Sequence, residues 1–300
     1  MDDSEECQIL EPNKKIKHIV IPGGGGTGFI AYGALRESHI QGIWNIENIE
    51  SIYGTSIGAI FAVILALKYD WQILDDYLIK RPWHQVFDFN MFTIVNSFQK
   101  QGIFDCKIIE EMFSPLFRGM DIPMSITMQE FYEISKIELH LYATELESFE
   151  TVDVSHKTHP DWKVIDAVYA SSALPLLFSP LFKDGKYYMD GGIFLNYPMY
   201  PCIQSGADTD EILGILRKEI PPEIEFSDKS TLFDYILLIL NKTLLSIMLN
   251  TKMNMVRVPN EIEIECYSIS MYDVYKLTTS QEERARFIEK GAKSVIPKPC

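Results

Sequence analysis

The residue best placed for chemistry is Ser56, which Gly54 and Gly58 flank in a Gly-Thr-Ser-Ile-Gly pattern. Residues 49–53 (Ile-Glu-Ser-Ile-Tyr) predict a strand before the pattern, and the apolar residues 59–69 predict a buried helix after it. Glycines permit a sharp turn that projects the serine hydroxyl, and a helix N-terminus stabilises developing negative charge. The pattern therefore indicates a nucleophilic serine. The alternative is an ordinary strand-to-helix turn with Ser56 near its N-cap.

A glycine-rich run at residues 23–28 follows a short apolar run, 17–21, that predicts another strand. Backbone N–H groups on such a loop can bind a phosphate, or the oxyanion that forms when a serine attacks an ester carbonyl. The run lacks the Gly-Lys-Ser/Thr ending of a phosphate loop. Glu47 is the only acid between residues 42 and 49, where a dinucleotide site would need one. The oxyanion interpretation therefore fits better.

A nucleophilic serine needs a base, and the sequence offers two kinds. Three histidines could act in a Ser-His-Asp triad: His140, His156 and His159. Their acid would have to precede Asp190 in the chain, and Asp153 is an example. The other candidate is Asp190, which ends a predicted strand and precedes Gly191 and Gly192. Those glycines let the loop approach a second backbone closely. Asp-Gly alone is more often a turn signal than a catalytic site.

Strand-like and helix-like runs alternate along the chain and would have to bring these distant segments together. Strands are predicted at residues 17–21, 49–53, 136–145, 187–189 and 211–216, and helices at residues 29–37, 59–69 and 163–173. Such alternation predicts an α/β fold in which helices flank a largely parallel central sheet.

The composition is that of a globular chain, with 300 residues of which 47% are hydrophobic. A formal net charge of −15 makes nucleic acid an unfavourable partner and disfavours electrostatic docking on anionic lipid. Membrane contact would therefore rest on hydrophobic residues or on a local basic patch. The five cysteines lack CxxC spacing, which predicts free thiols. The acidic start lacks the features of a signal peptide, so we expect an intracellular, cytoplasmic protein.

Several motifs occur in the order found in the patatin-like phospholipase family, which the chain resembles over residues 19–198. The first two are the glycine-rich run and the pattern around Ser56. The later ones are residues 143–146 (Ala-Thr-Glu-Leu), residues 170–175 (Ala-Ser-Ser-Ala-Leu-Pro), Phe178 with Pro180, and Asp190-Gly191-Gly192 with Asn196 and Pro198. One departure stands out: many family members carry Arg or Lys at the end of the glycine motif, where this chain has Gly28.

The resemblance implies a layered patatin-like fold and a lipid acyl hydrolase of the phospholipase A or lysophospholipase type. It implies that Ser56 is the nucleophile and that Asp190 is its partner in a Ser-Asp dyad, which needs no histidine. The residues implied for the oxyanion hole are Gly24, Gly25, Gly26 and Thr27. The implied partner is a phospholipid or another acyl lipid at a membrane surface, with peripheral association. No metal and no cofactor are implied.

Two other functions stay open on the sequence alone. One is a catalytically silent lipid-binding or scaffold protein, and the departure at Gly28 is its only support. The other is a Ser-His-Asp esterase of the α/β-hydrolase type, which would use one of the three histidines as its base.

Three regions are predicted along the chain. Residues 1–15 form an acidic flexible tail, residues 16–205 the patatin-like catalytic core, and residues 206–300 an extension that completes the same domain. Residues 232–249 of the extension are strongly apolar and predict a hydrophobic helix that packs in the core or contacts lipid. Asp234, Asn241 and Lys242 interrupt the run, which argues against a transmembrane span.

Overall fold

The computed structural model describes residues 15–87, 101–219, 256–266 and 271–295, together with a few single positions between 220 and 255. Residues 1–14 of the predicted tail and most of the predicted hydrophobic helix at 232–249 lie outside the described residues. Within that segment, the side chains of Tyr235, Ile236 and Ile239 are exposed. Among the described residues, no helix combines the length and the apolar character needed to cross a bilayer.

The described residues form ten strands, which belong to two sheets. They are β1 (His18–Ile21), β2 (Ser51–Thr55), β3 (Gly102–Phe104), β4 (Glu138–Glu145), β5 (Glu150–Val154), β6 (Leu176–Phe178), β7 (Leu181–Lys183), β8 (Lys186–Asp190), β9 (Ile212–Glu219) and β10 (Asn260–Cys266). In the central sheet, pairing runs from β10 through β9, β1 and β2 to β4; β4 also pairs with β5 and β8, and β8 pairs with β7. Strands β3 and β6 form a separate parallel pair. The strands from β10 to β4 are parallel, whereas the pairs β4–β5, β4–β8 and β7–β8 are antiparallel.

Helices cover both faces of this sheet. The described helices are α1 (Gly28–Ile40), α2 (Ile57–Ala66), α3 (Trp71–Lys80), α4 (Lys107–Gly119), α5 (Met128–Ser135), α6 (Val164–Ser172), α7 (Met199–Gln204), α8 (Met271–Thr279) and α9 (Gln281–Lys293). Ile19 and Ile21 of β1 belong to the larger buried apolar cluster, and Val20 between them belongs to a second cluster with Met199 of α7. Since successive strand residues point to opposite faces, the two clusters lie on opposite sides of the sheet.

Helix α2 lies at the centre of the larger cluster, where every residue from Gly58 to Ala66 is buried. Its sequence is apolar on all sides, so the helix can be stable only when protein surrounds it. This confirms the buried helix predicted from residues 59–69.

The described C-terminal part joins the same sheet and the same core. Strands β9 and β10 extend the sheet beyond β1, and α9 packs against α1. The buried guanidinium of Arg284 in α9 donates hydrogen bonds to the carbonyls of Ile79 and Arg81 at the end of α3. The division into three regions stays a prediction, because much of the extension lies outside the described residues.

The register of β4 brings the ends of two other strands together. Tyr142 pairs with Thr55 of β2 and with β5, and the next residue, Ala143, pairs with Asp190 of β8 and with β5. Because a strand residue has one neighbour on each side, β2 and β8 must lie on the same side of β4. They run in opposite directions and meet end to end, so Thr55 and Asp190 occupy adjacent positions along β4.

The five predicted strands and the three predicted helices are confirmed, as is the layered α/β fold with a largely parallel sheet. The antiparallel strands are grouped around β4, since β5 and β8 pair with β4 and β7 pairs with β8. One of them, β8, carries Asp190.

Candidate active site

Ser56 occupies a strained turn between β2 and α2. Its backbone has φ 57° and ψ −124°, a conformation that costs an L-residue about 1–3 kcal/mol. Two serines of α6 hold the turn: the Ser56 N–H donates to Ser171 Oγ (2.9 Å), and Ser172 Oγ donates to the Ser56 carbonyl (3.2 Å). Ser171 Oγ in turn donates to the Tyr142 carbonyl of β4 (2.6 Å). The strained backbone is thus anchored to the sheet through α6.

The glycines that flank Ser56 allow close backbone packing. A Cβ on Gly54 would lie 2.5 Å from the Gly58 carbonyl oxygen, and a Cβ on Gly58 would overlap the carbonyl oxygen of Ile21 at the end of β1. The first turn of α2 therefore packs directly on the backbone of β1. This packing places Ser56 beside the glycine loop that follows β1.

The Ser56 hydroxyl points at a buried carboxyl group. Ser56 Oγ donates a hydrogen bond to Asp190 Oδ2 (2.6 Å), and within the described part of the chain this is its only hydrogen-bond partner. Asp190 is 3% exposed, and its Oδ1 accepts the N–H of Gly192 (2.7 Å). Its backbone is held on both sides, since its N–H donates to the Ala173 carbonyl and its carbonyl accepts from Thr144 Oγ1.

Burial makes the Asp190 carboxyl a stronger base than an ordinary aspartate. Loss of water raises its pKa from the ordinary value of 3.8 to about 6, although the hydrogen bonds from Ser56 and Gly192 act in the opposite direction. At pH 7 the group is still ionised and can accept a proton. A pair of this kind can activate a serine hydroxyl, because proton acceptors work best when their pKa lies near the working pH.

The glycine loop runs past the Ser56 side chain. A Cβ on Gly23 would lie 3.2 Å from the Cβ of Ser56. Among the described residues, none accepts a hydrogen bond from the N–H groups of Gly24, Gly25 or Gly26. These three donors can therefore serve a substrate oxygen.

Thr27 is placed differently from the three glycines before it. Its N–H donates to the Gly24 carbonyl (3.2 Å), and so does its side-chain hydroxyl (2.7 Å). Both donors of Thr27 are occupied within the loop, so this residue shapes the loop while the three glycines keep their N–H groups for a ligand.

The departure at Gly28 has a packing reason. A Cβ at this position would overlap Cγ1 of Ile57 and lie 2.9 Å from the ring of Phe61, so α1 and α2 cross here without room for a side chain. A cation reaches the loop from elsewhere in the fold. Arg217 of β9 donates from Nη1 to the Gly23 carbonyl (2.6 Å).

His140 has its hydrogen-bond partners away from Ser56. Its ring nitrogens contact Asp153 (2.7 Å) and Glu138 (2.8 Å), and the ring stacks on Tyr53 with 4.4 Å between centroids. Burial opposes protonation, but the hydrogen bonds and charges of the two carboxylates outweigh it and raise the pKa of His140 to about 9. With the ring protonated at neutral pH and both nitrogens engaged, His140 has no lone pair for Ser56.

The other two candidate histidines are also engaged elsewhere. His156 stacks on Tyr132 with 3.8 Å between ring centroids. His159 contacts the Thr158 hydroxyl and packs edge-on against Trp162. The structure therefore brings Asp190 to Ser56 and leaves the histidines of the proposed triad apart from it.

The sequence analysis assigned no role to three residues that contact this site. Ser171 and Ser172 lie within a motif that pointed to the family, so the motif was the available signal. Arg217 had none, because a single arginine near the end of a predicted strand is indistinguishable from a surface residue.

Two viral proteins are similar to this chain. "Uncharacterized protein R571" of Acanthamoeba polyphaga mimivirus is 28% identical over 215 residues, which cover 72% of this chain and 69% of that protein. "Probable lipid hydrolase 463L" of Invertebrate iridescent virus 6 is 25% identical over 190 residues, which cover 63% of this chain and 64% of that protein.

A solved structure, VipD from Legionella pneumophila, shares the fold. The TM-score is 0.52 at 18% sequence identity, over 94% of this chain and 66% of VipD. This chain thus spans about two thirds of the length of each of the three proteins. The model of the family described as patatin-like phospholipase matches residues 19–203, more than half of the chain. That stretch holds the glycine loop, the Ser56 turn and the strand of Asp190, and the chain belongs to the patatin-like phospholipase family.

Proposed function

We propose that this protein is a lipid acyl hydrolase that cleaves fatty-acyl esters of phospholipids or lysophospholipids through a Ser-Asp dyad. The observation that carries the proposal is the 2.6 Å hydrogen bond from Ser56 Oγ to the buried carboxylate of Asp190. Membership of the patatin-like phospholipase family and the similarity to the viral protein "Probable lipid hydrolase 463L" support the same class of reaction.

Acylation of Ser56 is the first half of the proposed reaction. Ser56 Oγ attacks the ester carbonyl carbon while Asp190 takes the hydroxyl proton. The negative charge that develops on the carbonyl oxygen accepts hydrogen bonds from the N–H groups of Gly24, Gly25 and Gly26. The bond to the leaving alcohol then breaks, and the alcohol takes the proton from Asp190. The product is an acyl ester of Ser56.

Deacylation reverses these roles with water as the nucleophile. Asp190 accepts a proton from the water, whose oxygen attacks the acyl carbon, and the same glycine donors bind the new oxyanion. Collapse of this intermediate returns the proton to Ser56 and releases the fatty acid. Since Asp190 carries the proton at each step, the scheme needs neither a histidine nor a metal ion.

The geometry bears on both alternatives. The silent-scaffold interpretation rested on Gly28, and the contact of this residue with Ile57 and Phe61 explains its presence by helix packing alone. The esterase interpretation needs a histidine near Ser56, and His140, the most buried candidate, is held by two carboxylates. A Ser-Asp reaction therefore has the stronger support.

Fatty-acid release from mixed phospholipid vesicles, measured with EDTA present, tests the proposal. Ser56→Ala and Asp190→Asn should each lose at least about a thousandfold of the wild-type rate. Asp153→Asn is the matched control, because it makes the same change in a carboxyl that binds His140, and it should retain most activity. Circular dichroism confirms that all variants are folded.

Two results would contradict the proposal. Activity that survives Asp190→Asn but disappears in His140→Gln would assign the reaction to a histidine base. A folded wild type that releases no fatty acid from phospholipid, lysophospholipid or neutral glyceride would favour the silent-scaffold function.

A further inference from the structure

We propose that Arg217 is the positioning residue of the oxyanion hole, acting through the peptide group between Gly23 and Gly24. The inference rests on the proposed function and deepens it, since it names the group that aims one of the oxyanion donors.

The register of the sheet places Arg217 beside the glycine loop. Strand β9 pairs in parallel with β1, with His18 opposite Ile212 and Val20 opposite Gly214. Continued by three residues beyond the pair of Val20 and Gly214, the same register sets residue 217 opposite residue 23. The contact between Arg217 Nη1 and the Gly23 carbonyl (2.6 Å) is thus a consequence of strand alignment.

Asn196 also binds the backbone at Gly23. Its Nδ2 donates to the Gly23 carbonyl over 3.4 Å, and its carbonyl accepts, over 3.0 Å, the Gly23 N–H, which belongs to the preceding peptide group. The hydrogen bond from Arg217 to the Gly23 carbonyl is shorter than the one from Asn196 and is charge-assisted, and charge-assisted hydrogen bonds are roughly twice as strong as neutral ones. It therefore has the largest effect on where the carbonyl points.

Fixing this carbonyl also fixes a donor on the opposite side of the same peptide. The carbonyl of Gly23 and the N–H of Gly24 belong to one planar trans peptide group, so they point in opposite directions. When Arg217 holds the carbonyl, the Gly24 N–H must point away from Arg217. Loss of Arg217 would let the peptide rotate and would misdirect this donor.

The absence of a side chain at residue 24 is what admits the guanidinium. A Cβ on Gly24 would lie 2.5 Å from Arg217 Nη1 and 2.9 Å from Cζ. The positive charge therefore rests directly against the backbone of the loop. There it polarises the Gly23–Gly24 peptide and favours negative charge on the far side, where the oxyanion forms.

Steady-state hydrolysis of a soluble p-nitrophenyl ester by the full chain, together with the rate at which a fluorophosphonate labels Ser56, tests the inference. Arg217→Gln should lower kcat by about 10- to 100-fold and leave KM within about threefold, since the lost contact acts on the transition state. The labelling rate should fall by a similar factor, because phosphonylation develops charge at the same position. Arg217→Lys keeps the charge and should recover part of both rates.

Lys218→Gln is the matched control. It removes a cation from the next residue of β9, where Lys218 pairs with Glu263 (3.1 Å), and both rates should stay at the wild-type level. If Arg217→Gln does not fold, the Arg217→Lys variant tests the inference. A kcat reduced about threefold or more at constant KM supports the role of Arg217, and an unchanged kcat overturns it.

The remaining outcomes separate this inference from the proposed function. A folded Arg217→Gln variant with wild-type kcat and labelling would overturn the role of Arg217 while leaving the Ser-Asp reaction intact. A raised KM with unchanged kcat would also overturn it, because that pattern assigns Arg217 to substrate binding. A folded wild type that neither hydrolyses esters nor is labelled at Ser56 would overturn both.

Discussion

Ser56 donates a 2.6 Å hydrogen bond to Asp190, although the two residues are 134 positions apart in the chain. They meet because β2 and β8 end at consecutive residues of β4, Tyr142 and Ala143. The backbone of β4 therefore sets the distance between the Ser56 hydroxyl and the Asp190 carboxylate. A shift of one residue in the pairing of β8 would turn the Asp190 side chain to the opposite face of the sheet.

Asp190→Asn should make the protein more stable while abolishing its activity. The pKa of Asp190 rises from 3.8 to about 6 on folding, so the ionised form opposes folding. The contribution of protonated Asp190 to the unfolding free energy is fully present below pH 3.8 and is lost as the pH rises through 6. At pH 8 the variant should therefore exceed the wild type in unfolding free energy by at most on the order of 3 kcal/mol. Urea denaturation at pH 8 and pH 4 checks this, and a difference that grows towards pH 4 would contradict it.

The rate of ester hydrolysis should depend on pH through Asp190. Since the carboxyl must be ionised to accept the Ser56 proton, kcat/KM should rise with pH and reach half of its plateau near pH 6. An aspartate of ordinary pKa would place the midpoint near pH 4. His140→Gln should leave the midpoint in place, because this histidine binds Asp153 and Glu138. If the midpoint moved in the His140→Gln variant, Asp190 would not be the group whose ionisation controls kcat/KM.

The backbone strain at Ser56 should be measurable as stability. Ser56→Gly and Ser56→Ala both remove the nucleophile, but only glycine adopts φ 57° without steric cost. The glycine variant should be more stable than the alanine variant by about 1 kcal/mol. Ser38, which has helical backbone in the last turn of α1, provides the control, because there glycine should be less stable than alanine by about 0.5–1 kcal/mol. If the glycine variant were less stable than the alanine variant at position 56 as well as at position 38, the Ser56 turn would be unstrained.

Ser171→Ala should reduce both stability and rate, since Ser171 Oγ joins the Ser56 N–H to the Tyr142 carbonyl. We expect a loss of about 1–3 kcal/mol in unfolding free energy and of about tenfold in kcat. Ser38→Ala removes another buried hydroxyl, which donates to the Leu35 carbonyl. This variant should lower the unfolding free energy and leave kcat unchanged. If kcat, measured with a soluble ester, were equal in the two variants, Ser171 would have no role in the reaction.

A basic residue introduced at position 28 should not improve the enzyme. Gly28→Lys would force a side chain between α1 and α2, where a Cβ already overlaps Ile57, and should lower the unfolding free energy by about 3 kcal/mol or more. Ile40→Lys adds the same charge at the exposed end of α1 and should change stability by less than about 0.5 kcal/mol. Thermal unfolding of both variants gives the comparison. A folded Gly28→Lys variant with a raised kcat would show that the loop lacks a cation.

Local patterns in the sequence were sufficient to locate the main elements of the site. The strand, glycine turn and helix around Ser56 each depend on neighbouring residues: apolar runs, small residues and a helix-compatible segment. For the same reason the buried helix α2 and the strand that ends at Asp190 were predictable. The order of the motifs then indicated the family, which the match over residues 19–203 confirms.

The sequence by itself therefore determined which residues are candidates for chemistry, because strand, turn and helix preferences act over a few residues. Only the tertiary structure decided which candidates meet. The choice of Asp190 over His140 depends on the register of β4, and the pKa of Asp190 depends on its burial by distant segments. The contact of Arg217 with the glycine loop depends on the pairing of β9 with β1. Pairing and burial join residues far apart in the chain, so no local pattern encodes them.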